Sequence, residues 1–169
     1  EQRIGVSMSG IIGGAGSKSG VIGKLGTQAG TCSFLATNTS SSWVTLADED
    51  VCGFSDASTG EGHDDDGCYD TGNDKFTAPA SGVYHFWFSI YTAYTSSTNG
   101  FHFSKNGTEL ALTNDASVKF TWHQHTADDF IINASITIPL ASSDYIQITA
   151  NTACHYNTGH SCWGGCRLR

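Results

Sequence analysis

The densest charge in this chain is Asp64-Asp65-Asp66, with His63 and Glu61 close by. Calcium takes about six to eight oxygen ligands, and loop carboxylates are common donors. Asp64, Asp65 and Asp66 are therefore the candidate calcium ligands. The run lacks EF-hand spacing, and three consecutive acids cannot all face one ion, so a solvated acidic loop competes with this reading. His123 and His125 flank Gln124 beside Trp122. An i, i+2 pair in a strand shares one face and could hold a metal, although packing at an interface would use the same residues. No GxSxG, HExxH or phosphate-loop pattern occurs, so the chain reads as a non-enzyme.

The cysteines Cys32, Cys52, Cys68, Cys154, Cys162 and Cys166 are even in number, which points to pairing in an oxidising compartment. Pairing would also leave no thiol nucleophile. Zinc is the competing use of these residues. It is disfavoured because no CxxC occurs, and Cys162 and Cys166 stand four apart across Gly164-Gly165. Fifteen connectivities are possible for six cysteines. Asn38, Asn106 and Asn133 each begin an N-glycosylation sequon, which adds to a secreted, extracellular reading.

Composition narrows the class further. Net charge is -8, which disfavours a phosphate-backbone partner, so no nucleic acid is expected. Charged residues are only 14% of the chain, against 38% hydrophobic, a balance suited to short strands joined by polar turns. No apolar run of about 18 residues occurs, so no membrane-spanning helix is expected. The chain begins Glu1-Gln2-Arg3 with no Met. A mature secreted chain that has lost a signal peptide is the expectation.

Two regions must position these groups. Residues 1–31 form a glycine-rich arm, with Gly10-Ile11-Ile12-Gly13 followed by Gly20-Val21-Ile22-Gly23. It has no Gly-X-Y period, so it is not collagen. Ile11, Ile12, Val21, Ile22 and Leu25 call for burial, on the chain's own domain or on a neighbouring subunit. From Cys32 the period becomes two. Phe130, Ile132, Ala134, Ile136, Ile138 and Leu140 share one face, opposite Ile131, Asn133, Ser135 and Thr137. Asn133 thus falls away from the core, where a glycan could be tolerated. Tyr84, Phe86, Phe88 and Ile90 share a face, while Val83, His85 and Trp87 share the other. A strand apolar on both sides predicts burial on both, against a core and against a second surface. Asn106-Gly107 predicts a tight hairpin. Helical periodicity is absent, and an all-β sandwich or jelly roll follows.

One stretch is specific enough to carry a resemblance. Tyr69-Asp70, then Lys75-Phe76-Thr77-Ala78-Pro79-Ala80-Ser81-Gly82-Val83-Tyr84-His85-Phe86, resembles the central signature of C1q-like globular heads of the C1q/TNF superfamily. Phe34-Leu35-Ala36 resembles that family's first strand, and Lys105-Asn106-Gly107 its hairpin. Ser135-Ile136-Thr137-Ile138-Pro139-Leu140 with Asp144-Tyr145-Ile146-Gln147-Ile148 resembles its penultimate hairpin, and Trp163-Gly164-Gly165 its last strand. The likeness covers residues 32–169 and not the arm. It departs at Ser143, where glycine is usual, at Arg167 and Arg169, where the last strand is usually apolar, and in the greater number of cysteines.

The resemblance implies a ten-stranded jelly roll that forms a homotrimer, with His85, Trp87 and Trp122 at the trimer interface. Its neighbouring first and last strands suggest Cys32–Cys166, with Cys52–Cys68 closing the acidic loop and Cys154–Cys162 the final hairpin. Such heads often bind calcium. The implied function is a trimeric recognition module of defence, binding glycans or proteins through its loops by multivalency. The arm motivates the alternative of a structural subunit that polymerises into an extracellular filament or matrix.

Overall fold

The computed structural model describes residues 32–57, 62–64, 66–93, 100–110 and 129–169. All of them belong to one unit, Thr31–Arg169. The arm residues Ile11, Ile12, Val21, Ile22 and Leu25, together with Asp65, Trp122, His123 and His125, lie outside the described residues.

The described residues form two antiparallel sheets. The strands are β1 (Ser33–Ala36), β2 (Trp43–Leu46), β3 (His63–Asp64), β4 (Tyr69–Asp70), β5 (Lys75–Thr77), β6 (Gly82–Ala93), β7 (Phe101–Lys105), β8 (Thr108–Glu109), β9 (Phe130–Leu140), β10 (Tyr145–Ala150), β11 (Cys154–Asn157) and β12 (Cys162–Arg167). One sheet runs β2-β11-β6-β12-β1-β3, with β9 on the other edge of β6, and the other runs β4-β5-β10-β7-β8. This is the expected jelly-roll sandwich. Its twelve strands include three of only two residues, so the count of ten is met in outline.

β6 organises the first sheet. Its alternation is strict: Tyr84, Phe86, Phe88 and Ile90 are buried, whereas His85 and Trp87 point away and are half-buried. β9 alternates as its sequence predicted, with Asn133, Ser135 and Thr137 exposed. The core is aromatic. Trp163 lies 4.7 Å, centroid to centroid, from Phe34 in an edge-on contact, and Phe76 meets Phe86 at 4.9 Å in another. Each such fully buried ring contributes roughly 1.5–3 kcal/mol through area removed from water.

Two glycines make room for these rings. A Cβ on Gly165 would sit 2.3 Å from Phe86 Cδ1, and one on Gly164 would meet the Phe34 carbonyl at 2.7 Å and the Trp87 indole at 3.2 Å. Gly164-Gly165 therefore serves both faces of β12 at once, one residue for each ring.

The signature segment is a turn bonded to its neighbours. Ala78 donates its N–H to Asp144 O, Ser143 donates to Ala78 O, and Tyr84 Oη donates to Ala80 O at 2.6 Å. The departures from the family pattern find physical reasons here. Ser143 stands at φ 72°, a left-handed conformation that a side chain disfavours and glycine tolerates. Arg167 Nη2 donates to Ser81 O, and the Arg169 carbonyl accepts the Val83 N–H. The terminal residues thus close over Gly82, where a Cβ would meet Arg169 O at 2.4 Å. Asn106 and Gly107 both have positive φ, as the Asn-Gly hairpin requires.

The cysteines correct the expected connectivity. Cys32 is bonded to Cys68, and Cys52, Cys154, Cys162 and Cys166 are free thiols. Cys32–Cys166 and Cys52–Cys68 are both overturned, and Cys154–Cys162 is not formed. Parity rules out Cys32–Cys166 and Cys154–Cys162, while Cys52 loses Cys68 to Cys32. Cys32 and Cys154 are buried on the core side, whereas Cys162 and Cys166 alternate with the buried Trp163 and so lie on the opposite face. Across the sheet, Cys166 pairs with Ser33 rather than Cys32. Cys68 is brought to Cys32 by a turn at Gly67, whose φ is +64°, and by Asp64, whose carboxylate accepts the N–H groups of Cys68 and Tyr69. Burial raises the Cys52 thiol well above its ordinary range and pushes Cys154 up to about 12.

Three outcomes follow. Ser143→Gly should raise unfolding free energy by about 1 kcal/mol in urea titration. Gly165→Ala should lower it by about 1–3 kcal/mol, whereas Gly53→Ala, whose new Cβ would meet nothing closer than 3.4 Å, should change it by under about 1 kcal/mol. Mild-alkaline thiol labelling of the native protein should modify Cys162 and Cys166 and spare Cys52 and Cys154, with Cys32–Cys68 recovered as the linked pair in peptide mapping.

Candidate functional site

The outward face of the seven-stranded sheet is the surface that its own alternation leaves unexplained. Polar residues are expected there if water covers it. Instead it carries Leu35 on β1, His85, Trp87 and Tyr91 on β6, Trp43 on β2 and Ile131 on β9. Among the described residues, the exposed large hydrophobics are Trp43 (46%), Ile131 (55%) and Leu168 (56%), and two of these belong to this face. Trp43 and Tyr91 pack at 5.4 Å between ring centroids, and Tyr91 meets His160 edge-on at 5.6 Å. Tyr91 Oη donates to Asp129 Oδ2 at 2.7 Å, and Ile131 stands directly opposite Tyr91 in the ladder.

Further along the face, His85 Nδ1 and Thr137 Oγ1 share a 2.9 Å hydrogen bond. A hollow of about 230 Å³ is lined by Leu35, His63, His85, Trp87 and Cys166, among others. A second, shallower one lies between Trp87 and Asn133 to Ser135. His85 and Trp87 thus stand together on a partly apolar outward face. The Trp43–Tyr91–His160 cluster was not anticipated, because its members come from three separate segments that only the sheet and the turn after β11 bring together.

The three sequons differ in their surroundings. Asn38 Nδ2 donates to Gly53 O while its Oδ1 accepts from Ser55. Asn106 Nδ2 donates to Asp144 Oδ1 and its Oδ1 accepts the Tyr145 N–H. Both amides hold turns together. Asn133 is exposed, opposite Ser89, and borders the Trp87 hollow. A glycan at Asn133 and a covered Trp87 face would therefore compete for the same space.

Of the proposed calcium ligands, Asp64 spends both carboxylate oxygens on backbone N–H groups, as described above, and Asp66 is exposed. Other carboxylates also organise loops. Asp144 accepts from Lys105, Asn106 and the Ala141 N–H, and these contacts, Lys105 first, pull its pKa down to about 2. Asp74 accepts the Phe54 N–H, yet burial raises its pKa.

No protein-family model matches the chain, and no curated protein matches it by sequence. Solved structures do match. The globular domain of zebrafish complement 1qA protein superposes at TM-score 0.59 with 12% identity, covering 82% of this chain and 98% of that one. Eiger TNF from S. frugiperda superposes at 0.55 with 11% identity over 82% and 91% of the two chains, and murine APRIL at 0.54 with 9% identity over 81% and 98%. With the two-sheet topology and the aromatic core, these likenesses establish that the described residues adopt the C1q/TNF jelly-roll fold.

Proposed function

We propose that the chain is a secreted C1q/TNF-type homotrimer that recognises glycan or protein ligands through its loops by multivalency. The observation that carries this is the outward face of the seven-stranded sheet. A solitary sandwich gains nothing by placing Trp87, Leu35, Tyr91, Trp43 and Ile131 on the side away from its core, whereas a subunit that buries them against its copies does. The glycine at position 164 supports the same reading, since it lets the Trp87 indole lie close to β12. The Cys32–Cys68 bond fits an oxidising, extracellular compartment. Among the described residues no helix is long and apolar enough to cross a membrane. In the trimer Asn133 is covered and carries no glycan. Ligands meet the connecting loops, and three weak contacts combine to strengthen binding by roughly 10²–10⁴-fold.

Light scattering should find a particle of three 17.9 kDa chains. Trp87→Asp should release monomers that keep a β-type circular dichroism spectrum, and their retention on a glycan-coated or protein-coated surface should fall by about 10²-fold. A wild-type monomer would overturn the trimer, and undiminished retention of the Trp87→Asp monomer would overturn multivalent recognition.

A further inference from the structure

The outer face of the other sheet holds a polar constellation that the recognition reading does not use. β7 is buried on both sides. Phe101 and Phe103 enter the core, so His102 and Ser104 occupy the opposite face, yet His102 is wholly buried and Ser104 nearly so. Two carboxylates converge on that imidazole. Glu49 Oε2 lies 3.7 Å from His102 Nε2, and Glu109 Oε1 lies 3.6 Å from Nδ1. Donor atoms from Glu49, His102 and Glu109, one from each, fall within 4.8 Å of one another.

The neighbourhood is polar and buried. Thr149, directly opposite His102 in the ladder, and Ser104, two residues along β7, share its face. Their hydroxyls are buried with no hydrogen-bond partner. Isolated buried hydroxyls are costly, and water molecules on a bound cation would supply partners. Glu49 reaches the site from a turn at φ 66° and keeps 59% of its side chain exposed, which leaves a route inward from solvent.

We propose that His102, Glu49 and Glu109 form a binding site for a first-row divalent cation of the zinc class. A neutral imidazole with two carboxylates carries about two negative charges, matching a dication. Zinc binds both imidazole nitrogen and carboxylate oxygen, and its open sites take three protein ligands with water in the fourth position. Donors about 2.0–2.2 Å from a tetrahedral ion stand roughly 3.4 Å apart, so donors that now lie within 4.8 Å of one another must draw in, and because Glu49 flanks Nε2 and Glu109 flanks Nδ1, one carboxylate must swing round to the nitrogen that binds. Calcium is the poorer match, because it takes oxygen ligands and has little use for the imidazole. The site is distinct from the acidic run at Asp64–Asp66 and from the apolar face of the first sheet.

The test uses the full chain, stripped of metal by chelator and dialysed. Isothermal titration with ZnCl2 should show one high-affinity ion per chain and a melting temperature raised by several degrees. Glu49→Gln, an exposed and conservative change, should weaken that step at least about 10-fold without lowering the metal-free melting temperature. Glu109→Gln should weaken it as well. Equal zinc affinity in wild type and Glu49→Gln would overturn the site by assigning the ion to other histidines. Nitrogen-15 spectra in which the His102 ring keeps both N–H protons in excess zinc would also overturn it, identifying instead an imidazolium held between two carboxylates.

Discussion

The alternation of β6 is the constraint on which the remaining structure depends. This strand is hydrogen-bonded along both edges, to β9 over eleven residue pairs and to β12 over six. A slip of one residue would exchange Tyr84, Phe86, Phe88 and Ile90 for Val83, His85, Trp87 and Ser89 in the core. The rings of Phe76, Trp163 and Phe103 would lose their partners on β6 together. Gly164 and Gly165 answer to the same register, because each is small where one specific ring of β6 approaches β12. Core packing, the closeness of the last strand and the exposure of Trp87 are three consequences of one parity.

Charge is used mainly where the strands end. The chain is acidic, but several of its carboxylates are committed to backbone N–H groups in turns. Asp50 accepts from Ala47, Asp64 from Cys68 and Tyr69, Asp70 from Gly72 and Asn73, and Asp144 from Ala141. At Asp144 the Lys105 ammonium, then Asn106 and the Ala141 N–H, hold the carboxyl below its usual range, and at Asp70 the Asn73 amide and the Gly72 N–H do the same. Asp74 shows the opposite balance, since desolvation outweighs its hydrogen bonds. An acidic run in the sequence can therefore be turn chemistry rather than a ligand cage.

The two sheets divide the molecule's remaining possibilities. The outward face of the seven-stranded sheet is broad, partly apolar and crossed by half-exposed thiols at Cys162 and Cys166. That combination suits contact with other protein chains. The outward face of the five-stranded sheet is polar and closed at His102, which suits a small ion. Asn133 is exposed on the first of these faces and borders the hollow at Trp87.

Much of the fold was legible in the sequence. The alternation of β6 and β9, the Asn106-Gly107 hairpin and the Ala78-to-Phe86 signature are local patterns, and a strand's two faces follow from its own residue order. The unusual Ser143 was visible as well, although its reason, a left-handed backbone, was not. Disulfide connectivity was hidden. The sequence shows that six cysteines are present, but the pairing depends on which side of which sheet each one occupies, and that placed Cys32 with Cys68 rather than Cys166. The same holds for His102, Glu49 and Glu109, drawn together from a turn and two strands, and for Trp43 with Tyr91. Periodicity along a chain determines which residues face inward together. Only the order and register of the strands decide which distant residues meet, because that contact is set by hydrogen bonds between segments that no local pattern encodes.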